Sequence, residues 1–262
     1  AEGLNAALST MYLVRDAPGK LSGEVGAHGT AFDRTLAFRE GFTDGPKRCA
    51  SYNEQLIKER TTQFSFSQND PDRGDMPVTE DSVRLIKESL DRVFDGKGKP
   101  DLQTTGGTCP DGSGTPPTSY CPKENVVTAD LAALAQIGSP IDRQLEMSGE
   151  GSTGKGDFAA YASVASRYTL AVQKAEGKSI DDMDAALRTA CLTGAWARGV
   201  QNPEQTSGSV IRLSPGDVDE AILEMLQPES LIGSNVRGDQ VPSGFLRVEA
   251  FGKGYLEGAT AC

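Results

Sequence analysis

The sequence predicts an α+β fold that is mainly α: a helical core that carries a small β-sheet, with an N-terminal helical extension. Apolar residues recur at three- and four-residue steps through most of the chain, as is typical of amphipathic helices. Only three short runs favour strands, residues 62–67, 100–105 and 125–128. Two helical runs within residues 156–198 form the predicted centre, and the second has a stripe of small residues that lets another helix approach closely.

The predicted helices follow one another through short polar or glycine-rich connections. In order, they cover residues 2–14, 30–42, 46–58, 79–94, 130–137, two runs within 156–198, 214–226 and 243–257. Thr79 is the predicted N-cap of its helix. Ser214 has the same predicted role, because Pro215 follows it and the acid Asp217 lies three residues on.

The charge of the chain argues against one class of partner. The chain has 26 Lys and Arg against 37 Asp and Glu, a net charge of −11. Nucleic acids and anionic membrane surfaces require clustered Lys and Arg, and the sequence has no such run. No apolar stretch reaches the roughly 18 residues of a transmembrane helix. The chain begins with Ala1 and not Met, which suits a trimmed mature protein, and any signal or lipid anchor would lie upstream.

The five cysteines indicate an oxidising location. None lies in a C-x-x-C pair and the chain has one histidine, so a zinc finger is excluded. Cys109 and Cys121 bracket a turn-forming stretch, which a disulfide would stabilise by about 3 kcal/mol. Cys262, the last residue, is well placed to tie down a tail. We expect two disulfides and one spare thiol, hence an extracytoplasmic protein; the alternative is five free thiols in a cytosolic protein.

Several familiar catalytic and binding motifs are absent. A Ser-His-Asp or Cys-His site needs a histidine base, and His28 lies in a glycine-rich segment, where we expect it to be solvated. Lys155 is followed by glycine and not Ser or Thr, so residues 149–156 are not a phosphate-binding loop. The acidic loop with Asp70, Asp72 and Asp75 lacks the spacing of a calcium-binding EF-hand. A hydrolase that uses paired carboxylates stays open.

Five segments appear in a characteristic order between residues 119 and 262. They are Tyr120-Cys121-Pro122 with Val126-Val127, Gly156-Asp157-Phe158-Ala159, residues 191–197 (CLTGAWA), residues 213–221 (LSPGDVDEA), and residues 241–245 with Arg247, Gly254-Tyr255 and Cys262. In this order they resemble the bacterial neutral zinc metallopeptidases, a zincin-like family often exported or membrane-anchored. The resemblance implies a zincin-like helical core in residues 79–262, a degenerate metallopeptidase-like domain, and an extension packed on it in residues 1–78.

The sequence departs from this family where the family holds zinc. The family motif A-H-E-x-x-H-H-V-Q matches residues 165–173, which read ASRYTLAVQ. Ser166 and Leu170 stand at the two histidine positions, and Arg167 stands at the position of the glutamate base. Ala186 and Ala190 stand at two acidic positions of the following helix. A permanent cation and apolar side chains cannot ligate zinc, so the sequence predicts a pseudo-peptidase with no metal and no cofactor.

The resemblance also implies cysteine pairings and a ligand-binding cleft. The implied disulfides are Cys109–Cys121 and Cys191–Cys262, which leave Cys49 unpaired. A remnant of the substrate cleft would bind a protein or peptide of the cell envelope.

Arg167, Arg188 and Tyr168 are the candidate binding residues of that cleft. The two arginines would favour an acidic or carboxylate-bearing ligand; the alternative for each is a structural salt bridge. The predicted function is that of a catalytically inactive binding or scaffold protein, secreted or attached to the envelope. Two alternatives are a hydrolase with carboxylate chemistry in the same cleft and a purely structural envelope protein.

Overall fold

The structure is a computed structural model that describes residues 2–63, 65–66, 74–148, 154–201 and 211–262. Its α-helices are α1 (Glu2–Leu13), α2 (Ala31–Asp44), α3 (Pro46–Ala50), α4 (Glu54–Arg60), α5 (Glu80–Val93), α6 (Leu131–Ile137), α7 (Arg143–Ser148), α8 (Asp157–Ala175), α9 (Met183–Gln201), α10 (Asp217–Leu226) and α11 (Gly244–Glu257). Its strands are β1 (Asp101–Gln103), β2 (Thr105–Gly106), β3 (Thr118–Cys121) and β4 (Val126–Asp130). The predicted class, α+β and mainly α with a small sheet, is confirmed.

The N-terminal region follows the predicted pattern except at two places. The single helix predicted over residues 46–58 is two short helices, because Asn53 caps a new one by accepting a hydrogen bond from Leu56 N (2.9 Å). The strand predicted over residues 62–67 is absent from the described residues; 64 and 67 lie outside them. Here the backbone N–H of Thr62 donates to Asp33 Oδ1 (2.9 Å), so a carboxylate replaces a strand partner.

The sheet is built around one central strand. β4 pairs parallel with β1 and antiparallel with β2 and β3, with Tyr120 opposite Val127. All four residues of β3 are buried, so its sequence lacks the alternation that marks a half-exposed strand. The Cys109–Cys121 disulfide (Cα–Cα 5.5 Å) joins the preceding loop to β3.

Helices α8, α9 and α11 form the tightly packed centre of the molecule. α9 and α11 approach so closely that a Cβ on Gly254 would lie 1.8 Å from the Cys191 carbonyl oxygen. A Cβ on Gly194 would lie 2.0 Å from the Phe251 carbonyl oxygen, so the predicted stripe of small residues does bring a helix close. The Cys191–Cys262 disulfide (Cα–Cα 5.7 Å) fixes the chain end to α9. Both disulfide pairings implied by the resemblance are therefore present, and Cys49 is a free, exposed thiol.

The N-terminal helices share this core. The Phe32 ring of α2 lies 6.2 Å from Phe251 and 5.0 Å from Tyr255 of α11, centroid to centroid. The buried Asp219 carboxylate of α10 accepts the backbone N–H of Phe32 (3.1 Å). The boundary at residue 78 stays a prediction. None of the helices within the described residues is both long and apolar enough to cross a bilayer.

Candidate functional site

The residues at the predicted zinc positions lie deep in the helix pair, by which we mean α8 and α9. Ser166, Arg167 and Leu170 are on α8, and Ala186 and Ala190 are on α9; all five have an exposed fraction of 0%. None of them lines any of the three cavities described below. A position without exposed surface offers no contact to an external ligand, so this part of the expected cleft is filled.

Arg167 connects α8 to a loop between α10 and α11. Its guanidinium donates from Nη1 to Asn235 O (2.8 Å) and from Nη2 to the carbonyl oxygens of Leu231 (2.7 Å) and Ser234 (2.9 Å). Further bonds go to the hydroxyl oxygens of Ser234 (2.9 Å) and Ser166 (3.2 Å). Thr189 of α9 donates to the same Ser234 carbonyl (3.1 Å).

The buried guanidinium stays charged in this environment. Burial lowers the pKa of Arg167 to about 9, which still leaves it protonated near neutral pH. Its hydrogen bonds go to neutral oxygens, and within the described residues no carboxylate forms an ion pair with it. Arg167 therefore holds α8 to this loop and does not form the expected contact with an external ligand. It also does not form the salt bridge that was the alternative, because its partners among the described residues are neutral oxygens.

The other two candidate binding residues are also occupied. Tyr168 is buried, and its hydroxyl donates to Asp91 Oδ1 (2.7 Å) on α5. Arg188 is partly exposed, but its Nε donates to Gln173 Oε1 (2.9 Å) and its Nη2 to Ser179 O (2.9 Å). The same Nη2 lies 3.9 Å from Asp182 Oδ1, so the salt bridge considered as the alternative for this arginine is present. Tyr168 therefore offers no contact to an external ligand, and Arg188 holds the turn between the helices of the pair.

An open cavity lies instead against the N-terminal helices. This N-terminal groove has a volume of about 520 Å³, within the range of small-ligand and peptide sites. Its apolar wall comes from α2 and α4 and includes Leu36, Phe38, Leu56 and Ile57. Ile57 is 44% exposed, which is unusual for an isoleucine. A wider space of about 670 Å³ borders α4 but is shallow and lined by polar side chains.

Cationic side chains also line the N-terminal groove. Within the described residues, the Arg34 guanidinium donates one hydrogen bond, from Nη1 to His28 O (3.2 Å), and has no ion-pair partner. Arg60 lines the groove as well, but it pairs with Glu40. His28 is exposed, as predicted, and its Nδ1 lies 3.9 Å from Asp16 Oδ1. Arg34 is therefore the cation of this groove that has room for an anionic partner.

Three carboxylates meet where two helices begin. Asp157 is the first residue of α8, and Asp217 and Glu220 lie in the first turn of α10. One oxygen from each lies within 4.8 Å of the other two; we call these three residues the acid cluster. Ser214 is not the N-cap predicted for α10: its backbone N–H donates to Asp217 Oδ2 (2.7 Å), and Gly216 in a left-handed conformation begins the helix.

Burial and mutual repulsion raise the pKa values of two members of the acid cluster. Desolvation, with the charge of Asp75 nearby, raises the pKa of Asp157 to about 6. Desolvation and the charges of Asp217 and Asp157 raise the pKa of Glu220 well above its ordinary range. The sequence signal for this cluster is a repeated Gly-Asp pair, Gly156-Asp157 and Gly216-Asp217, at two helix starts. Neither helix periodicity nor the resemblance predicts that these two helix starts meet.

Comparison with protein-family models, with curated proteins and with solved structures finds no match to this chain. The zincin-like identity therefore stays a prediction that rests on the resemblance of the five segments. The geometry of the helix pair, the N-terminal groove and the acid cluster stands independently of that resemblance.

Proposed function

We propose that this protein is a non-catalytic binding protein, secreted or attached to the cell envelope, whose N-terminal groove takes a carboxylate-bearing peptide segment of an envelope protein. Within the predicted zincin-like relationship it is a pseudo-peptidase. The two disulfides support a location outside the cytoplasm, because such bonds persist in oxidising compartments.

The observation that carries the non-catalytic assignment is the buried Arg167. A guanidinium held by the carbonyl oxygens of Leu231, Ser234 and Asn235 places a fixed positive charge where the family would hold zinc. Two like charges at that place would repel strongly in a medium of low dielectric constant. Neutral Ser166 and Leu170 provide no imidazole ligand. Zinc-peptidase chemistry at these positions is therefore not supported.

The N-terminal groove supports the binding assignment. It combines an apolar wall with a few polar groups, the usual composition of a site that recognises a peptide or small ligand. Arg34, with no ion pair of its own within the described residues, is complementary to a carboxylate, which guanidinium groups bind in a two-pronged geometry. Ile57 and Phe38 supply the apolar contacts next to it.

The carboxylate hydrolase is the weaker alternative. The acid cluster borders a cavity of about 260 Å³, below the size of typical small-molecule sites. Its carboxylates also take part in structural hydrogen bonds: Glu220 Oε2 accepts Phe158 N (2.8 Å) and Asp157 Oδ2 accepts Met76 N (2.9 Å). The purely structural alternative predicts that no partner depends on the groove.

A photo-crosslinking amino acid at position 57 tests the groove in the native host envelope or secreted fraction. We expect crosslinks to one partner through an acidic or C-terminal segment, identified by mass spectrometry. Two variants should each weaken its binding at least about tenfold: Ile57→Asp, which repels a carboxylate, and Arg34→Gln, which removes the cation. The matched control is Met183→Asp, an exposed apolar residue on α9 that does not line the groove.

The groove assignment would be contradicted if Met183→Asp lost as much partner binding as the two groove variants. It would also be contradicted if all three variants bound the partner as tightly as the wild type. A peptidase assay on the purified protein addresses the other half of the proposal. We expect no hydrolysis and no bound zinc by elemental analysis; stoichiometric zinc together with chelator-sensitive peptidase activity would overturn it. Activity that resists chelators would favour the carboxylate hydrolase.

A further inference from the structure

We propose that the acid cluster, Asp157, Asp217 and Glu220, is a binding site for one calcium-like divalent cation that joins the starts of α8 and α10. The site is separate from the predicted zinc positions, which offer no such ligands. It is also separate from the N-terminal groove, so it does not depend on the proposed function.

The first observation is the geometry of the oxygens. Calcium binds six to eight oxygens at about 2.3–2.6 Å, so opposite ligands lie roughly 4.6–5.2 Å apart. One oxygen from each of the three residues lies within 4.8 Å of the others, so all three fit on one coordination sphere of this size. Carboxylates are hard ligands that suit such an ion.

The second observation is an unpartnered buried oxygen. Asp157 is 7% exposed, and its Oδ1 accepts no hydrogen bond from the described residues, whereas its Oδ2 accepts Met76 N (2.9 Å). A buried carboxylate oxygen without a donor is costly, and native proteins satisfy nearly all such atoms with protein, water or an ion. The Asp157 side chain lines the cavity of about 260 Å³ next to the cluster, so a ligand has space to reach it.

The third observation is that the backbone makes room for the carboxylates. A Cβ on Gly156 would lie 1.9–2.2 Å from the carboxyl atoms of Glu220, and the φ of Gly156 is +89°. Only glycine at position 156 lets Glu220 reach the start of α8, where its Oε2 accepts Phe158 N. The close approach of these acids is therefore built into the chain.

Charge gives the physical reason for a cation. Three carboxylates so close in a largely buried place repel one another, and the N-termini of α8 and α10 partly offset that repulsion. Arg212 also borders the cavity, but its side chain is exposed to solvent. A divalent cation neutralises two charges and supplies the partner that Asp157 Oδ1 lacks.

Luminescence of terbium, a calcium mimic, tests the site in the full chain after removal of metals with a chelator. Tyr161 lines the cavity and would sensitise the emission of a bound ion. We expect one terbium per chain, displaced by calcium, and a melting temperature that rises with added calcium. Asp157→Asn and Glu220→Gln should each lower the terbium affinity at least about tenfold and reduce the calcium-dependent rise in melting temperature.

The matched control is Asp111→Asn, which removes a carboxylate from the far surface loop and should leave affinity unchanged. Asp157→Asn keeps an acceptor for Met76 N, so we expect it to fold in the absence of metal with a melting temperature no lower than the wild type. The proposal is overturned if the wild type binds no terbium and shows no calcium-dependent stabilisation, or if both cluster variants keep the wild-type affinity. Should Glu220→Gln fail to fold, the wild type and Asp157→Asn decide the question.

Discussion

The helix pair and the N-terminal groove differ in how completely they are packed. In the helix pair, the five predicted zinc positions are fully buried and the guanidinium of Arg167 bonds to backbone carbonyls. In the N-terminal groove, an isoleucine of α4 remains 44% exposed beside a cavity of about 520 Å³. A disulfide, Cys191–Cys262, fixes α9, whereas the only described free thiol, Cys49, lies on the short helix α3 next to the groove helices.

This difference separates the region whose sequence resembles a zinc site from the region that we propose binds a ligand. The sequence motifs point to the helix pair because they mark helix starts, small residues and cysteines, all of which are needed for close packing. A binding surface requires the opposite, apolar side chains with incomplete contacts. The predictions below test whether the helix pair is as rigidly packed, and the groove as tolerant of change, as the structure indicates.

Among the substitutions that leave a neutral side chain, loss of the buried cation in the helix pair should have the largest effect. Arg167→Met removes the charged donor from each of the carbonyl oxygens of Leu231, Ser234 and Asn235. Among the described residues, each of these oxygens keeps only neutral donors. We expect the free energy of unfolding to fall by about 3 kcal/mol in urea titrations. Arg188→Met, at a partly exposed position of the same pair, should cost less than about 1 kcal/mol. Equal losses of unfolding free energy in the two variants would show that the bonds from Arg167 to the carbonyl oxygens do not stabilise the fold.

A smaller effect is expected where α11 meets α9. Gly254→Ala places a methyl group 1.8 Å from the Cys191 carbonyl oxygen, which should cost about 2 kcal/mol. Gly252→Ala lies on the same helix but meets no atom closer than 3.7 Å, so its higher helix propensity should stabilise the protein by up to about 1 kcal/mol. Melting temperatures test this: Gly254→Ala should lower the value and Gly252→Ala should raise it. Shifts of the same sign would contradict the close contact between Gly254 and the Cys191 carbonyl.

Much of the fold follows from local sequence signals. Thr30, Thr79 and Asp130 cap their helices, at or next to the predicted starts, because short polar side chains accept the first free N–H groups. The sequence-based predictions fail where a side chain distant in the chain forms a backbone hydrogen bond that a strand neighbour would otherwise form. Asp33 satisfies Thr62 N in place of a strand neighbour, and no pattern within residues 62–67 reveals that partner.

The site was less predictable than the fold for the same reason. Arg167 donates to carbonyl oxygens more than 60 residues away in the chain, and the sequence predicts neither these partners nor the burial of the guanidinium. The acid cluster joins residues 157 and 217–220, which meet only after α8 and α10 pack together. Helix periodicity gives the faces of these helices but not the contacts between their ends.

The ion-pair network beside the groove should make stability depend on pH. Burial opposes ionisation of Glu40, but hydrogen bonds from Arg60 and Arg48 outweigh it and lower the pKa from 4.5 to about 2. Ionised Glu40 therefore stabilises the fold above about pH 4.5, and this contribution is lost as the pH falls through about 2.

A comparison of wild type with Glu40→Gln at several pH values measures this contribution, which we expect to be about 1–2 kcal/mol at pH 6 after allowance for solvent screening. The difference in unfolding free energy between the two proteins should shrink steadily from pH 5 to pH 2.5. Glu249→Gln, which removes a partly exposed partner of Arg39, is the control and should cost less stability at pH 6 than Glu40→Gln. A constant difference for Glu40→Gln would show that this network is not a stabilising charge cluster.

The smallest expected effect on stability is at the groove wall, and it is the sharpest test of the contrast with the helix pair. Ile57→Asp puts a charge on a side chain that is already 44% exposed, so water solvates it and little packing is lost. We expect less than about 1 kcal/mol of destabilisation by urea unfolding, most of it from the lower helix propensity of aspartate. The same substitution at Leu170, fully buried on α8, should abolish stable folding, because a charge would be buried without a partner. If Ile57→Asp instead costs several kcal/mol, the groove is part of the packed core and its exposed apolar wall does not serve to bind a partner.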